Sequence, residues 1–291
     1  MRGIYVAACI TTTAAVGIFG TIAWRMKKPA DRRWLLLAFL IVLPMQPLAF
    51  YLVRVPLDEW LAGLWGKQSG LYHFLTTFYA PLTEEPAKLL PLLVPAIFRD
   101  VRRENFVRYA LAIGLGFGIG ELWFIAERVS HDPQLGGLPF YYYGGFFGER
   151  LSVCLLHAAF VAVSLRQLRS KFPLGLLGAM ALHYFGNFPI FLMVKNAFGW
   201  GAGVWRVIVT VWLQLYLIGG ILLLSYFTLG KFNPGRVFFG RSRCPGCGAV
   251  YSRPFFGMNL GLKRYERCPH CRKWHIISIT DVVKDDAARD V

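Results

Sequence analysis

The 291 residues are 56% hydrophobic and only 16% charged, with a mean hydropathy of +0.46, whereas an ordinary soluble chain carries about 25% charged residues. That balance excludes a disordered, fibrous or simple aqueous globular protein and puts most of the chain in lipid. The net charge of +16 comes from 32 Lys and Arg against 16 Asp and Glu. Twelve of those cations lie beyond residue 230 and most of the rest separate apolar runs, so anionic lipid is the expected partner and nucleic acid is not.

Apolar runs long enough for about 30 Å of hydrocarbon fall at 4–24, 34–53, 78–98, 108–127, 151–168, 173–194 and 205–229. They predict an all-α polytopic membrane protein of about seven transmembrane helices. Val6-Ala7-Ala8-Cys9 resembles a lipoprotein cleavage box, but only five residues precede it, so the first run is read as a span. The connections alternate in charge. Arg25, Lys27, Lys28, Arg32 and Arg33 follow the first span, Arg54 and Lys67 the second, and Arg99, Arg102, Arg103 and Arg108 the third. Arg128 and Arg150 bracket the fourth connection, Arg166, Arg169 and Lys171 follow the fifth span, Lys195 and Arg206 flank the sixth connection, and Lys231, Arg236, Arg241 and Arg243 follow the seventh span. The odd connections are the basic ones, which predicts an N-terminus outside the cell membrane and a tail in the cytoplasm. The Gly- and aromatic-rich loop 131–148 reads as an interfacial belt. Asn233-Pro234-Gly235 marks a boundary, giving a helical domain at 1–230 and a tail at 231–291.

Charged groups near mid-bilayer cost roughly 2.5 to 3.5 kcal/mol each, so those that persist tend to face a bundle interior and to act there. The third span holds Glu84, Glu85 and Lys88, with Lys88 spaced to pair with either acid on one helix face. Phe117-Gly118-Ile119-Gly120-Glu121 lies in the fourth span, His157 in the fifth, and His183 and Asn187 share a face of the sixth. A rise of about 1.5 Å per residue puts Glu84, Glu121, His157 and Asn187 some ~10 Å below the outer surface, with His183 about 5 Å deeper. Pro86 removes one helical N–H bond and frees the Leu82 carbonyl, which suits a wet cavity. The plain alternatives are a packing ion pair, an interhelical hydrogen bond and bends at Pro81, Pro86, Pro91 and Pro95.

Glu84-Glu85-x-x-Lys88, Phe117-x-x-x-Glu121 and His183-x-x-x-Asn187, in that order with His157 between, resemble the motifs of the PrsW family of intramembrane proteases over roughly residues 70–195. That family is related to the CAAX prenyl proteases and to a multispan scaffold subunit of gamma-secretase. Pro86 departs from the pattern, and Glu121 stands where CAAX proteases would have histidine. The resemblance implies an endopeptidase acting on membrane-anchored protein substrates through glutamate-activated water. Such chemistry needs a base, a water pocket and oxyanion donors. Glu84 or Glu85 is the candidate base, tuned by Lys88; His157 and His183 polarise the water or protonate the leaving amine; Asn187 donates to the oxyanion; Glu121 positions the water or a histidine. Two histidines and a glutamate could instead hold a catalytic zinc. Neither H-E-x-x-H nor G-x-S-x-G occurs. A non-catalytic scaffold of the same superfamily and a proton-coupled transporter using Glu84, Glu121 and the histidines are the competing readings.

Cys244-Pro245-Gly246-Cys247 and Cys268-Pro269-His270-Cys271 have the spacing of a structural zinc site, whose thiolates need a reducing compartment. The tail resembles a zinc ribbon, a small β-rich fold that names no function by itself. Lys263, Arg264, Tyr265, Arg267, Arg272, Lys273 and Trp274 make it basic with interleaved aromatics. Tethering to the membrane favours lipid headgroups over nucleic acid as the partner of that surface, and recruitment of a cytosolic protein fits equally well.

Overall fold

A computed structural model describes residues 2–26, 30–195, 197–229, 241–254, 257–260 and 263–278. The chain divides into two compact units, Met1–Thr228 and Leu229–Val291. The expected boundary Asn233-Pro234-Gly235 and the cations Lys27, Lys28, Lys231 and Arg236 lie outside the described residues.

In the first unit, α1 (Gly3–Ala15) passes through a wide π-type turn at Val16–Gly20 into α2 (Thr21–Arg25). The Asp31 carboxylate accepts from the Arg33 N–H at 2.9 Å and starts α3 (Arg32–Val42), satisfying one of the donors that a helix leaves free at its first turn. After α4 (Met45–Ala49) a second wide turn, Phe50–Arg54, leads into α5 (Val55–Trp65). Ser69 caps α6 (Gly70–Thr76) by accepting from the Tyr72 N–H. Then come α7 (Tyr79–Lys88), a 3-10 turn at Leu90–Leu93, α8 (Pro95–Asp100), α9 (Phe106–Ser130), α10 (Gly144–Arg166), α11 (Phe172–Val194) and α12 (Ala202–Leu229).

Among the described residues, five helices are long and apolar enough to cross a membrane: Gly3–Arg25, Phe106–Ser130, Phe140–Arg166, Phe172–Val194 and Ala202–Thr228. The pair Arg32–Val42 and Met45–Trp65, bent by 42° beside Pro44, makes a sixth if taken as one span. The expected third span at 78–98 is not one helix. Pro91 and Pro95 lack the N–H groups a continuous helix needs, and Val94, just before Pro95, is extended (φ −78°, ψ 113°) as a residue preceding proline tends to be. α7 is therefore ten residues, about 15 Å long and too short to cross alone. Pro86 is accommodated inside α7. The second expected span, 34–53, bends and runs on to Trp65.

The broken stretch still returns the chain to the end it left. Asp100 accepts from the Asp31 N–H at 3.1 Å and from the Tyr109 hydroxyl at 2.5 Å. Arg169 donates to the carbonyls of Phe98 and Val101, and Arg108 to that of Ala23. Arg2 donating to the Ser130 carbonyl and Tyr143 to that of Leu135 gather the opposite end.

α9 is the central rod, and its alternating glycines explain how. A Cβ on Gly114 would meet the Ala158 backbone of α10 at 2.2 Å, and one on Gly120 would meet the Leu43 carbonyl at 2.0 Å. Gly114 and Gly118 thus seat α10 on one face, while Gly116 and Gly120 admit the α3 side on the other. This is the small-residue packing by which membrane helices approach without a hydrophobic drive.

The second unit is β-rich, with β1 (Arg241–Arg243) antiparallel to β2 (Val250–Ser252), and β3 (Gly257–Leu260), β4 (Lys263–Arg267) and β5 (Trp274–Ser278) in an antiparallel sheet. β4 is central, paired Tyr265 to Ile276 and Arg267 to Trp274. Glu266 is fully buried, facing Arg264 at 2.9 Å and accepting from the Tyr251 hydroxyl at 3.1 Å.

Candidate functional site

Glu84 and Glu85 are neighbours on α7 yet point to different partners. Glu84 Oε1 lies 2.7 Å from Arg54 Nη2 and accepts from Gln46 Nε2 at 3.3 Å. Glu85 Oε1 receives Lys88 Nζ at 2.5 Å and His183 Nδ1 at 2.6 Å. Lys88 is wholly buried, its ammonium also lying 4.7 Å from the Phe117 ring centre and 5.7 Å from that of Phe160. Of the two acids within its reach, Lys88 pairs with Glu85 and leaves Glu84 to Arg54.

Across from α7, His157 of α10 donates from Nε2 to Glu121 Oε2 of α9 at 2.9 Å, and Arg150 Nη1 lies 3.3 Å from the same oxygen. The two histidine rings are 6.0 Å apart, and His183 stacks on Phe160 at 5.4 Å. His183 Nε2 reaches to 3.8 Å of Glu84 Oε2. Glu84, Glu121 and His157 each offer a ligand atom within 4.8 Å of the others.

Glu84, Glu121, His157, His183 and Asn187 all line one cavity of about 770 Å³, whereas Glu85 and Lys88 are not on its wall. Asn187 sits one turn beyond His183 and is only partly buried. Glu84 Oε2 and His157 Nδ1 are buried without a protein hydrogen-bond partner. With Glu84, Glu121, Arg54, Arg150, His157 and His183 on its wall, a cavity of this size has the room and the polar partners that water needs. Glu121 is nine residues from the Ser130 end of α9 and fifteen from the Phe106 end, about 14 Å and 22 Å respectively at the helical rise.

Gln46, Arg54 and Arg150 also line this cavity, and the sequence reading does not single them out. In the sequence both arginines read as loop cations, but Arg54 closes the wide turn Phe50–Arg54 and Arg150 lies within α10. Arg150 stands seven residues, two helical turns, before His157, a spacing that puts both on one face. Gln46, buried in an otherwise apolar run after Pro44, was the other available sign.

The cysteines of the second unit form another centre. The sulfurs of Cys244, Cys247, Cys268 and Cys271 all lie within 4.8 Å of one another, with Cys244 to Cys271 at 3.6 Å and Cys247 to Cys268 at 3.8 Å. Tetrahedral bonds of about 2.3 Å to one ion separate thiolates by roughly 3.8 Å. The two Cys-Pro turns share one backbone pattern: Cys244 N–H donates to the Ala249 carbonyl and Cys268 N–H to that of Lys273, while Gly248 and Arg272 donate back to Cys244 and Cys268. Gly248 and Arg272 both take positive φ, 73° and 58°. Burial opposes the Cys244 thiolate, but N–H groups of Cys247 and Gly246 outweigh it and bring its pKa down to about 6. The four cysteines are thus compatible with a zinc site. Cys9 and Cys154 lie in the helical unit, apart from this group.

No family model, curated protein or solved structure matches the chain. The resemblance to PrsW proteases therefore rests on the motif residues alone.

Proposed function

We propose that the chain is an intramembrane endopeptidase, of the PrsW-like kind, that hydrolyses membrane-anchored proteins with water activated by Glu84. The observation that carries this reading is the meeting of Glu84, Glu121, His157 and His183, from four separate helices, at one cavity. Packing alone has no need of four ionisable groups there, each costly to bring into hydrocarbon.

In this mechanism Glu84 Oε2 takes the proton from a water in the cavity, and the resulting hydroxide attacks the scissile carbonyl. Glu121 holds His157 by its Nε2–H, leaving Nδ1 to face the water. Glu85, with Lys88 behind it, fixes His183 by accepting its Nδ1–H, so that the unprotonated Nε2 faces Glu84, takes from it the proton drawn from the water and passes that proton to the leaving amine, which returns Glu84 to its carboxylate. Asn187 and Arg150 supply donors for the oxyanion. Glu84 is the base in preference to Glu85, because Glu85 is spent on Lys88 and His183 and lies off the cavity. In this reading, which the charge alternation of the connections supports, the cavity lies in the outer half of the bilayer, cleavage falls near the external face, and the C-terminal unit folds in the cytoplasm around a structural zinc.

The juxtaposition of Glu84, Glu121 and His157 within 4.8 Å favours one variant: a metal ion held by these three that activates the same water. Metal analysis of the Cys244→Ser/Cys268→Ser protein decides between them. Metal-free active protein supports glutamate alone, and a stoichiometric ion supports the metal variant.

The reading is tested by terminal proteomics on membranes from cells making the wild type or Glu84→Gln. New protein termini near the outer boundary of single-span proteins, absent with Glu84→Gln, are expected. Identical terminal profiles would reject proteolysis and leave a scaffold.

A further inference from the structure

The C-terminal unit has one sheet face that the proteolytic reading does not use. Between residues 241 and 278 stand eight Lys and Arg against a single acid, Glu266, and that acid is buried and neutralised beside Arg264. Along β4, Arg264 and Glu266 point inward while Lys263, Tyr265 and Arg267 are exposed. Side chains paired across an antiparallel sheet share a face. The pairing of Tyr265 with Ile276 and of Arg267 with Trp274 therefore adds both β5 residues to the exposed side. Tyr265 is 38% exposed, Trp274 50% and Ile276 56%. The exposed Arg272 and Lys273 extend the cationic rim from the adjoining turn.

We propose that this face docks onto the anionic lipid surface of the membrane. Its composition is that of an interfacial surface: Trp and Tyr, which favour headgroup depth, an aliphatic residue beside them and Lys and Arg around the edge. Negative headgroups complement a surface with no exposed described acid. Tyr265 and Trp274 stack on each other at 5.0 Å and 24°, so each ring has one face already covered, which disfavours base stacking by single-stranded nucleic acid. Ile276, exposed on the edge strand β5 opposite Tyr265, offers nothing to a base or phosphate but gains from acyl chains. Only residues 230–240 separate α12 from β1, a length that fully extended reaches ~40 Å. With α12 in the bilayer, the sheet is kept at high effective concentration near the lipid surface. The inference needs α12 to cross the membrane and is independent of whether the helical unit hydrolyses anything.

The test is amide hydrogen exchange on the full-length protein in nanodiscs of phosphatidylcholine alone or of phosphatidylcholine with phosphatidylglycerol. Exchange in peptides covering 263–278 slows by roughly thirtyfold in the anionic discs, from two contacting cations, and the slowing fades as salt is raised. Lys263→Gln/Arg267→Gln abolishes it, and Trp274→Ser, which keeps every cation, weakens it. Exchange in the β1–β2 peptide stays unchanged in both variants, as the check that the unit is folded; should either variant unfold, the salt series on the wild type decides. Equal exchange in the two lipid compositions, or slowing that resists salt, would overturn the proposal. So would slowing in phosphatidylcholine discs that appears only on adding single-stranded RNA, which would assign the face to nucleic acid.

Discussion

Glu84 and Glu85 stand side by side in the sequence, and what separates them is the partner each meets. Glu85 shares Lys88 and His183, with Lys88 and Glu85 side chains 0% and 1% exposed. Glu84 pairs with Arg54, has one oxygen without a hydrogen-bond partner and lines the cavity. Removing one member of a buried pair strands the other's charge, at a cost of about 3 to 5 kcal/mol. Glu85→Gln is therefore expected to lower the unfolding midpoint in detergent markedly, and Glu85→Gln/Lys88→Met to recover most of it. Glu84→Gln, whose partner Arg54 is 19% exposed, leaves that midpoint close to the wild type. If Glu84→Gln destabilises as strongly as Glu85→Gln, the division of labour between the two acids is wrong. The acids and histidines themselves were legible in the sequence, because ionisable groups inside apolar runs stand out. Which acid Lys88 chooses was not, since i+3 and i+4 spacings both permit contact and only the tertiary positions of Arg54 and His183 decide.

At the scale of elements, apolar length located α9, α11 and α12 to within about three residues at either end, but began α10 seven residues late, because Gly144, Gly145, Gly148, Glu149 and Arg150 read as loop and are its first turns. The α7 to α8 stretch misled for a specific reason. Its hydropathy is that of a span, but Pro91 and Pro95 break the backbone pattern that a single span needs. Arg54 and Arg150 were hidden by the same rule that orders loop charges, which counts cations near span ends as loop residues. The glycines of α9 carry a separate prediction. Gly114→Ala pushes a methyl into the Ala158 backbone and is expected to cost about 1 to 3 kcal/mol. Gly148→Ala, where a Cβ meets nothing, is expected to leave the melting curve unchanged. Equal melting of the two variants would mean that α9 and α10 do not pack as closely as described.

At the scale of the whole molecule, the two compact units have separate sources of order. The helical unit draws on close helix packing and a buried polar cluster, whereas the β unit is too small for a sizeable core and depends on its four-sulfur centre. Cys244→Ser/Cys268→Ser is expected to abolish one equivalent of bound zinc and the slow amide exchange of β1 to β5, with exchange in α9 and α10 unaffected. Loss of protection in both units together would show that they fold as one. The cysteine spacing made this centre readable from the sequence, since paired Cys-x-x-Cys turns admit few other uses.

The most direct test of the central claim is cleavage of a single-span substrate, chosen from the terminal profiles, by purified protein in proteoliposomes. Glu84→Gln, Glu121→Gln and His183→Ala are compared with the wild type, and folding is checked by melting. The account predicts that Glu84→Gln loses about 10²- to 10⁴-fold in turnover, the usual contribution of a general base, while retaining the wild-type melting midpoint. Undiminished turnover by a well-folded Glu84→Gln protein would contradict it.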